Sequence, residues 1–181
     1  MGVTGKRVAV LVEQQYQEME VWYPVYRLRE AGCVVRLVGP AAGKTYASKL
    51  GYPVTSDTAA AAVTAADFDA LVIPGGFAPD YIRRNEAMLK LVRDIAAAGK
   101  PTAAICHGPW VLCSTTAMKG RKVTCYQSIK DDVVNAGGEY IDVAMDKAVV
   151  DGNFVTAPAW PAHPDWLAKF LVVLGTKITH S

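Results

Sequence analysis

A cysteine followed at once by a histidine, Cys106-His107, closes the short apolar run Thr102–Ile105, and Gly108-Pro109 comes next. A strand that turns sharply into a helix reads this way, with a thiol at the tip of the turn. Such an elbow lifts a nucleophile out of the sheet and sets it over the first free N–H groups of the next helix, which favours thiolate over thiol. The adjoining imidazole can take or return a proton. Two further features suit the same chemistry. Glu20, shortly after the first apolar run, can supply an acid. Gly75-Gly76, after Leu71–Ile73, leaves backbone N–H groups free to approach an oxyanion. Position 106 is therefore expected to bear an exposed sulfur anion. Each feature also has a plainer reading. A cysteine at a strand end is commonly a small core side chain. Glu20 can be a solvated charge at a helix start, Gly75-Gly76 a simple turn, and His107 a backbone element whose side chain points away from its neighbour. The flanking His-Gly-Pro favours the reactive reading of Cys106. Cys33, Cys113 and Cys125 read as packing.

The elements that must position these residues alternate. Lys6–Val12 reads as a buried parallel strand. Val21, Val25, Leu28 and Ala31 recur at helical spacing up to Gly32, and Pro24 is tolerated if that helix starts only a few residues earlier. Cys33–Val38 is a second strand. Residues 40–66 are poor in signal and predict loop or a short hairpin. Asp69–Ile73 is a strand, Asn85–Ala98 an amphipathic helix, Pro101–Ile105 the elbow strand, and Val111, Leu112 and Thr115 the inner face of the helix after it. Lys122–Tyr126 reads as a strand and Ser128–Ala136 as a short helix. Ala148–Val150 and Phe154–Thr156 pair around Asp151-Gly152-Asn153. Pro164–Leu174 is the last helix. Strands alternating with helices imply an α/β fold with a mostly parallel sheet covered on both faces, whose ligands collect at the carboxyl ends of the strands.

Bulk properties narrow the function classes. A chain of 181 residues with 51% hydrophobic and 20% charged residues fits one globular domain over 1–181. The formal charge is +2 with no dense basic run, which gives no reason to expect nucleic acid or an anionic membrane as partner. No apolar stretch approaches the ~18 residues of a membrane span. Val8–Val12 is too short for a secretory core, and Lys6 stands where myristoylation wants Ser or Thr. The four cysteines form no C-x-x-C pair, so neither zinc nor a disulfide framework is implied, and a reduced, cytoplasmic setting is expected.

With Glu20, Pro74-Gly75-Gly76 and Ala104–Pro109 on one chain, the sequence resembles the DJ-1/PfpI superfamily almost end to end. Glu20–Pro24, Phe68–Gly76, Lys119–Lys122, Asp131–Gly138 and Asp151–Asn153 carry the likeness. Ala159–Pro164 is similar to the C-terminal region of plant DJ-1-like glyoxalases, and the PfpI-type branch looks equally near. The resemblance implies a flavodoxin-like three-layer sandwich, a reactive Cys106, and a protonated Glu20 that hydrogen-bonds the Cys106 sulfur. It implies that backbone N–H groups of Gly75, Gly76 and His107 cradle an oxyanion. It also implies a homo-oligomer, in which a carboxylate after the glycine turn reaches a neighbouring subunit's histidine. Family members usually carry Arg-Ala-Pro-Glu there; this chain has Phe77-Ala78-Pro79-Asp80, so the matching carboxylate, Asp80, is one methylene shorter. Phe77 in place of a cation shifts substrate choice toward less anionic or more apolar compounds. Trp110 is a candidate pocket wall.

The leading expectation is a cysteine-dependent enzyme, without metal or cofactor, that acts on small reactive carbonyls or glycation adducts as a glyoxalase or deglycase with a stress-protective role. Four alternatives stand beside it. The first is an oxidative-stress sensor or holdase working through Cys106 oxidation. The second is a PfpI-type peptidase that needs Asp80 in trans. The third is an isonitrile hydratase-like enzyme. The fourth is a glutaminase-like hydrolase, because His163-Pro164-Asp165 resembles the His-Pro-Glu of class I amidotransferases. Against the last, Ile105 replaces the usual Gly, and His163 reads better as the start of the last helix with Asp165 supporting its first turn.

Overall fold

The computed structural model describes residues 2–176; the outermost residues of the expected 1–181 unit lie outside that range. In chain order the elements are β1 (Arg7–Leu11), α1 (Glu18–Glu30), β2 (Val34–Gly39), β3 (Thr45–Ala47), β4 (Pro53–Thr55), β5 (Thr58–Ala59), β6 (Ala70–Ile73), α2 (Ala78–Ile82), α3 (Glu86–Ala97), β7 (Thr102–Ile105), α4 (Pro109–Cys113), β8 (Lys122–Val123), α5 (Lys130–Asn135), β9 (Glu139–Tyr140), β10 (Val149–Asp151), β11 (Phe154–Ala157) and α6 (His163–Leu174). A seven-stranded sheet runs β10-β11-β7-β6-β1-β2-β5. All its pairings are parallel except that of the edge strand β10 with β11. On one face α1 packs on α6, and α6 on β7 and β11; on the other α3 packs on β6, and α4 joins α2, α3 and α5. This is the expected flavodoxin-like α/β sandwich. The central strands β6, β7 and β11 are buried at every position, because both faces are covered.

The weak region 40–66 holds the expected short hairpin, β3–β4, and adds the short edge strand β5. The strand expected over Lys122–Tyr126 is only Lys122–Val123, paired with β9 in a separate two-stranded sheet. Beyond it the amides go to single partners and form no ladder: Thr124 N–H donates to Thr156 Oγ1 at 2.9 Å, and Tyr126 N–H to the Cys106 carbonyl at 3.0 Å.

The helix α1 starts at Glu18, capped by Gln17, whose side-chain oxygen accepts from Glu20 N–H at 3.0 Å. That start is further back than Pro24 prefers, and Pro24 has no N–H to give the carbonyl of Glu20 four residues before it. In α3, Asn85 caps Met88 N–H, and Met88, Leu91, Val92 and Ile95 form its buried stripe. The strands β7, β6 and β1 are neighbours in the sheet. Their carboxyl ends therefore bring together the elbow, the glycine turn and the start of α1.

Candidate active site

Cys106 follows the last residue of β7 with φ of 59°, in the left-handed region. A non-glycine residue there is strained, and the strain marks the elbow the sequence predicts. The backbone is tied on both sides: Cys106 N–H donates to the Ala157 carbonyl at 2.9 Å, and its own carbonyl accepts from Tyr126. The helix that follows is only five residues long.

The turn after β6 meets the elbow at very short range. A Cβ on Gly75 would lie 2.6 Å from Glu20 Oε2 and 2.8 Å from Cys106 Cβ, so only glycine fits. Gly76 has φ of +74°, and a Cβ there would lie 2.5 Å from the Gln17 nitrogen. The Tyr16 backbone bridges to Gly76 on one side and to Ser48 on the other.

Glu20 is fully buried, which rejects its reading as a solvated charge. Its Oε2 accepts from Gly75 N–H at 2.8 Å. Its Oε1 is buried with no hydrogen bond of ordinary geometry, and the Cys106 side chain lies beside it. Burial pushes the carboxyl up to about 8, with the Gly75 amide and the Cys106 side chain opposing that shift. Cys106 is 8% exposed. Burial pushes its thiol up; an ionised Glu20 pushes it further, and the N–H groups of Gly76 and His107 pull it down. The expectation of an exposed anion is corrected on this point: the sulfur is recessed, and burial works against the thiolate. The two acids compete for one negative charge. With Glu20 protonated the repulsion vanishes, and the carboxyl O–H becomes a donor toward sulfur.

The oxyanion cradle also differs in part. Gly75 N–H is taken by Glu20, whereas the amides of Gly76 and His107 face the sulfur. His107 does not point away. Its Nδ1 lies 3.3 Å from Cys106 Sγ and its Nε2 lies 3.2 Å from Ser128 Oγ. The ring stacks on Tyr126 with centroids 5.1 Å apart and meets the edge of Trp110 at 5.5 Å. Burial lowers the affinity of His107 for a proton, and the Lys49 ammonium adds to that. Trp110 thus lies behind the histidine and carries the Arg83 guanidinium 5.4 Å from its ring. Phe77 is 56% exposed directly after Gly76. Asp80 sits in α2, and among the described residues its carboxylate makes no hydrogen bond or ion pair.

Sequence reasoning missed Lys49, Tyr126 and Ser128. Lys49 is held by its N–H to the Tyr16 carbonyl at 2.9 Å. Tyr126 and Ser128 arrive through the bond from Tyr126 to Cys106, a tertiary contact with no local signature. The other candidate residues lie in packing. Cys33 and Cys125 are buried, and burial pushes Cys113 up to about 11 and Cys125 up to about 12. His163 is 2% exposed, packs on Tyr23 and Trp166, donates from Nδ1 to the Trp160 carbonyl at 2.6 Å, and is pushed down to about 4 by burial. Asp165 lies in the first turn of α6, as expected, and also accepts from Ala148 N–H and Lys169, tying the approach to β10. Among the described residues no helix is long and apolar enough to cross a membrane, and no cluster of three His, Cys, Asp or Glu side chains could hold a metal.

Comparisons with known proteins show the family. The chain is 39% identical over 168 residues to "Deglycase PH1704" of Pyrococcus horikoshii, covering 93% of this chain and 99% of that protein. It is 42% identical over 166 residues to "Putative cysteine protease YraA" of Bacillus subtilis, covering 92% and 94%. The crystal structure of Drosophila melanogaster DJ-1beta superposes with a TM-score of 0.85 at 29% identity, covering 96% and 92%. A family model described as DJ-1/PfpI family matches residues 6–172, and the chain belongs to that family.

Proposed function

We propose that the protein is a cysteine-dependent enzyme acting on small reactive carbonyls or glycation adducts, of the glyoxalase or deglycase kind. The observation that carries this reading is the buried meeting of Glu20, Cys106 and His107 beneath the Gly76 amide, in a chain similar to a protein named deglycase. Sulfur attacks an aldehyde carbon, a C–S bond forms, and the carbonyl electron pair moves onto oxygen. The amides of Gly76 and His107 stabilise that oxyanion. Glu20 and His107 relay protons. For a 2-oxoaldehyde, transfer of the C1 proton to C2 converts the hemithioacetal to a thioester of a 2-hydroxy acid. Water then hydrolyses the thioester and restores the thiol. The net change is addition of water, with no outside oxidant or reductant. For a glycation adduct, in which the amine already occupies that carbon, the C–S bond forms as the C–N bond breaks and the amine leaves with a proton; the hemithioacetal so formed follows the same proton transfer and hydrolysis.

The test is lactate formation from methylglyoxal. Wild type is expected to form it and Cys106→Ser to lose nearly all turnover; equal turnover by both would reject the reading. A peptidase reading draws on the name of the Bacillus subtilis relative, but it needs Asp80 of another subunit at His107, and in this chain Ser128 already occupies Nε2.

We also propose a homo-oligomer. A groove of about 680 Å³ between α1 and the β3–β4 hairpin is lined by Met19, Trp22, Tyr26, Leu50 and Tyr52. Leu50 is 87% exposed and Tyr26 59%, an apolar concentration suited to a self-complementary contact with a second copy.

A further inference from the structure

The His107 imidazole stands between two side chains, Cys106 Sγ at Nδ1 and Ser128 Oγ at Nε2. A neutral imidazole has one N–H donor and one lone-pair acceptor, and the partner of one nitrogen sets the state of the other. For Nδ1 to take the thiol proton, it must present its lone pair to sulfur. The ring proton must then sit on Nε2, and it needs an acceptor there. Among the described residues, Ser128 Oγ is the hydrogen-bond partner of Nε2. Rotation of the ring is restrained by Tyr126 against its face and Trp110 at its edge, so orientation is fixed by packing and the tautomer is left to the hydroxyl.

Ser128 is itself placed by the nucleophile. Tyr126 N–H donates to the Cys106 carbonyl at 3.0 Å, and Ile129 N–H donates to the Tyr126 carbonyl at 3.0 Å. The turn that carries Ser128 is therefore registered on the elbow. Asp80, the position at which the family pattern puts the histidine's partner, is not among the hydrogen-bond partners of the His107 ring in the described residues, which are Cys106 and Ser128.

We propose that Ser128 is a positioning residue of the reaction: it accepts the Nε2–H of His107, fixes that tautomer, and leaves Nδ1 as the base for Cys106 without a carboxylate from another subunit. In the step it supports, the S–H bond breaks, an Nδ1–H bond forms, and the electron pair stays on sulfur. The hydroxyl accepts from Nε2–H before and after the transfer and does not itself ionise. The proposal rests on the reading of Cys106 and His107 as the working pair.

The test is the rate of Cys106 alkylation by iodoacetamide as a function of pH, in full-length wild type, Ser128→Ala and Ser128→Thr. The other titratable or charged groups about the ring are Cys106, Glu20 behind it, Tyr126 beneath it, Lys49 at the hairpin and Arg83 beyond Trp110. All are common to the three proteins, so a difference between them belongs to the hydroxyl. Ser128→Ala is expected to slow alkylation near neutral pH by on the order of tenfold and to move its midpoint to higher pH. Ser128→Thr, which keeps the hydroxyl, is expected to restore both. Nitrogen-15 spectra should show the Nε2–H tautomer in wild type and its loss in Ser128→Ala. With methylglyoxal, kcat should fall at unchanged KM. An unchanged alkylation profile in Ser128→Ala, or equal damage by Ala and Thr, would overturn the proposal. Wild type that forms no lactate while its alkylation still depends on Ser128 would reject the carbonyl reading and uphold this one.

Discussion

At the residue scale, the pairing of Cys106 with a buried acid decides the chemistry. Cys106-His107 was legible because the elbow signature is local. The fate of Glu20 was not, since burial depends on how α1 crosses the end of β1. Ser128 was invisible for the same reason: its hydroxyl meets His107 only through a bond between segments twenty residues apart in chain. The raised carboxyl of Glu20 also makes a stability prediction. Its affinity for a proton rises on folding, from near 4.5 to about 8. A group raised in this way stabilises fully below its unfolded value, and the contribution is lost as pH climbs through the folded value. Glu20→Gln, neutral throughout, should therefore gain on wild type between about pH 5 and 8, by about 1 kcal/mol per pH unit. Thermal unfolding of both proteins at several pH values checks this. Parallel stability curves would contradict it.

At the scale of elements, the site depends on three neighbouring strand ends closing to van der Waals contact. The glycine turn after β6 allows this approach. Gly75→Ala puts a methyl against Glu20 Oε2 and Cys106 Cβ. It should cost about 1–3 kcal/mol and most of the activity, as read by denaturant unfolding and methylglyoxal turnover. An active, equally stable variant would show that the turn is looser than described. The strands β1, β6 and β7 and the helix α3 were legible because buried parallel strands are continuous apolar runs and α3 repeats its apolar stripe. Lys122–Tyr126 carries the pattern of a strand over more residues than pair as one. Its alternation is that of an extended segment, but after Val123 its amides bond a threonine hydroxyl and the nucleophile's carbonyl instead of a neighbouring strand. Alternation reports extension and burial; it does not report what the backbone bonds to.

At the scale of the whole molecule, parallel topology places all the chemistry at one end of the sheet and leaves the apolar groove of α1 and the β3–β4 hairpin on the surface. The hairpin links the two: Leu50 lines the groove, while Lys49 beside it bonds the Tyr16 backbone that bridges to Gly76. Leu50→Glu should therefore lower the mass measured by light scattering to that of one 19.4 kDa chain. Wild type already at that mass would contradict the oligomer. Fold class followed from the alternation of strands and helices, whereas the groove did not, because its walls come from a helix and from a region whose sequence carries little signal.

The most direct measurement is mass-spectrometric labelling of native, reduced protein with iodoacetamide near neutral pH. Cys106 is expected to be alkylated well ahead of Cys33, Cys113 and Cys125, despite being recessed, because a protonated Glu20 and the amides of Gly76 and His107 support its thiolate. A Cys106 that stays unlabelled until the protein is denatured would contradict it.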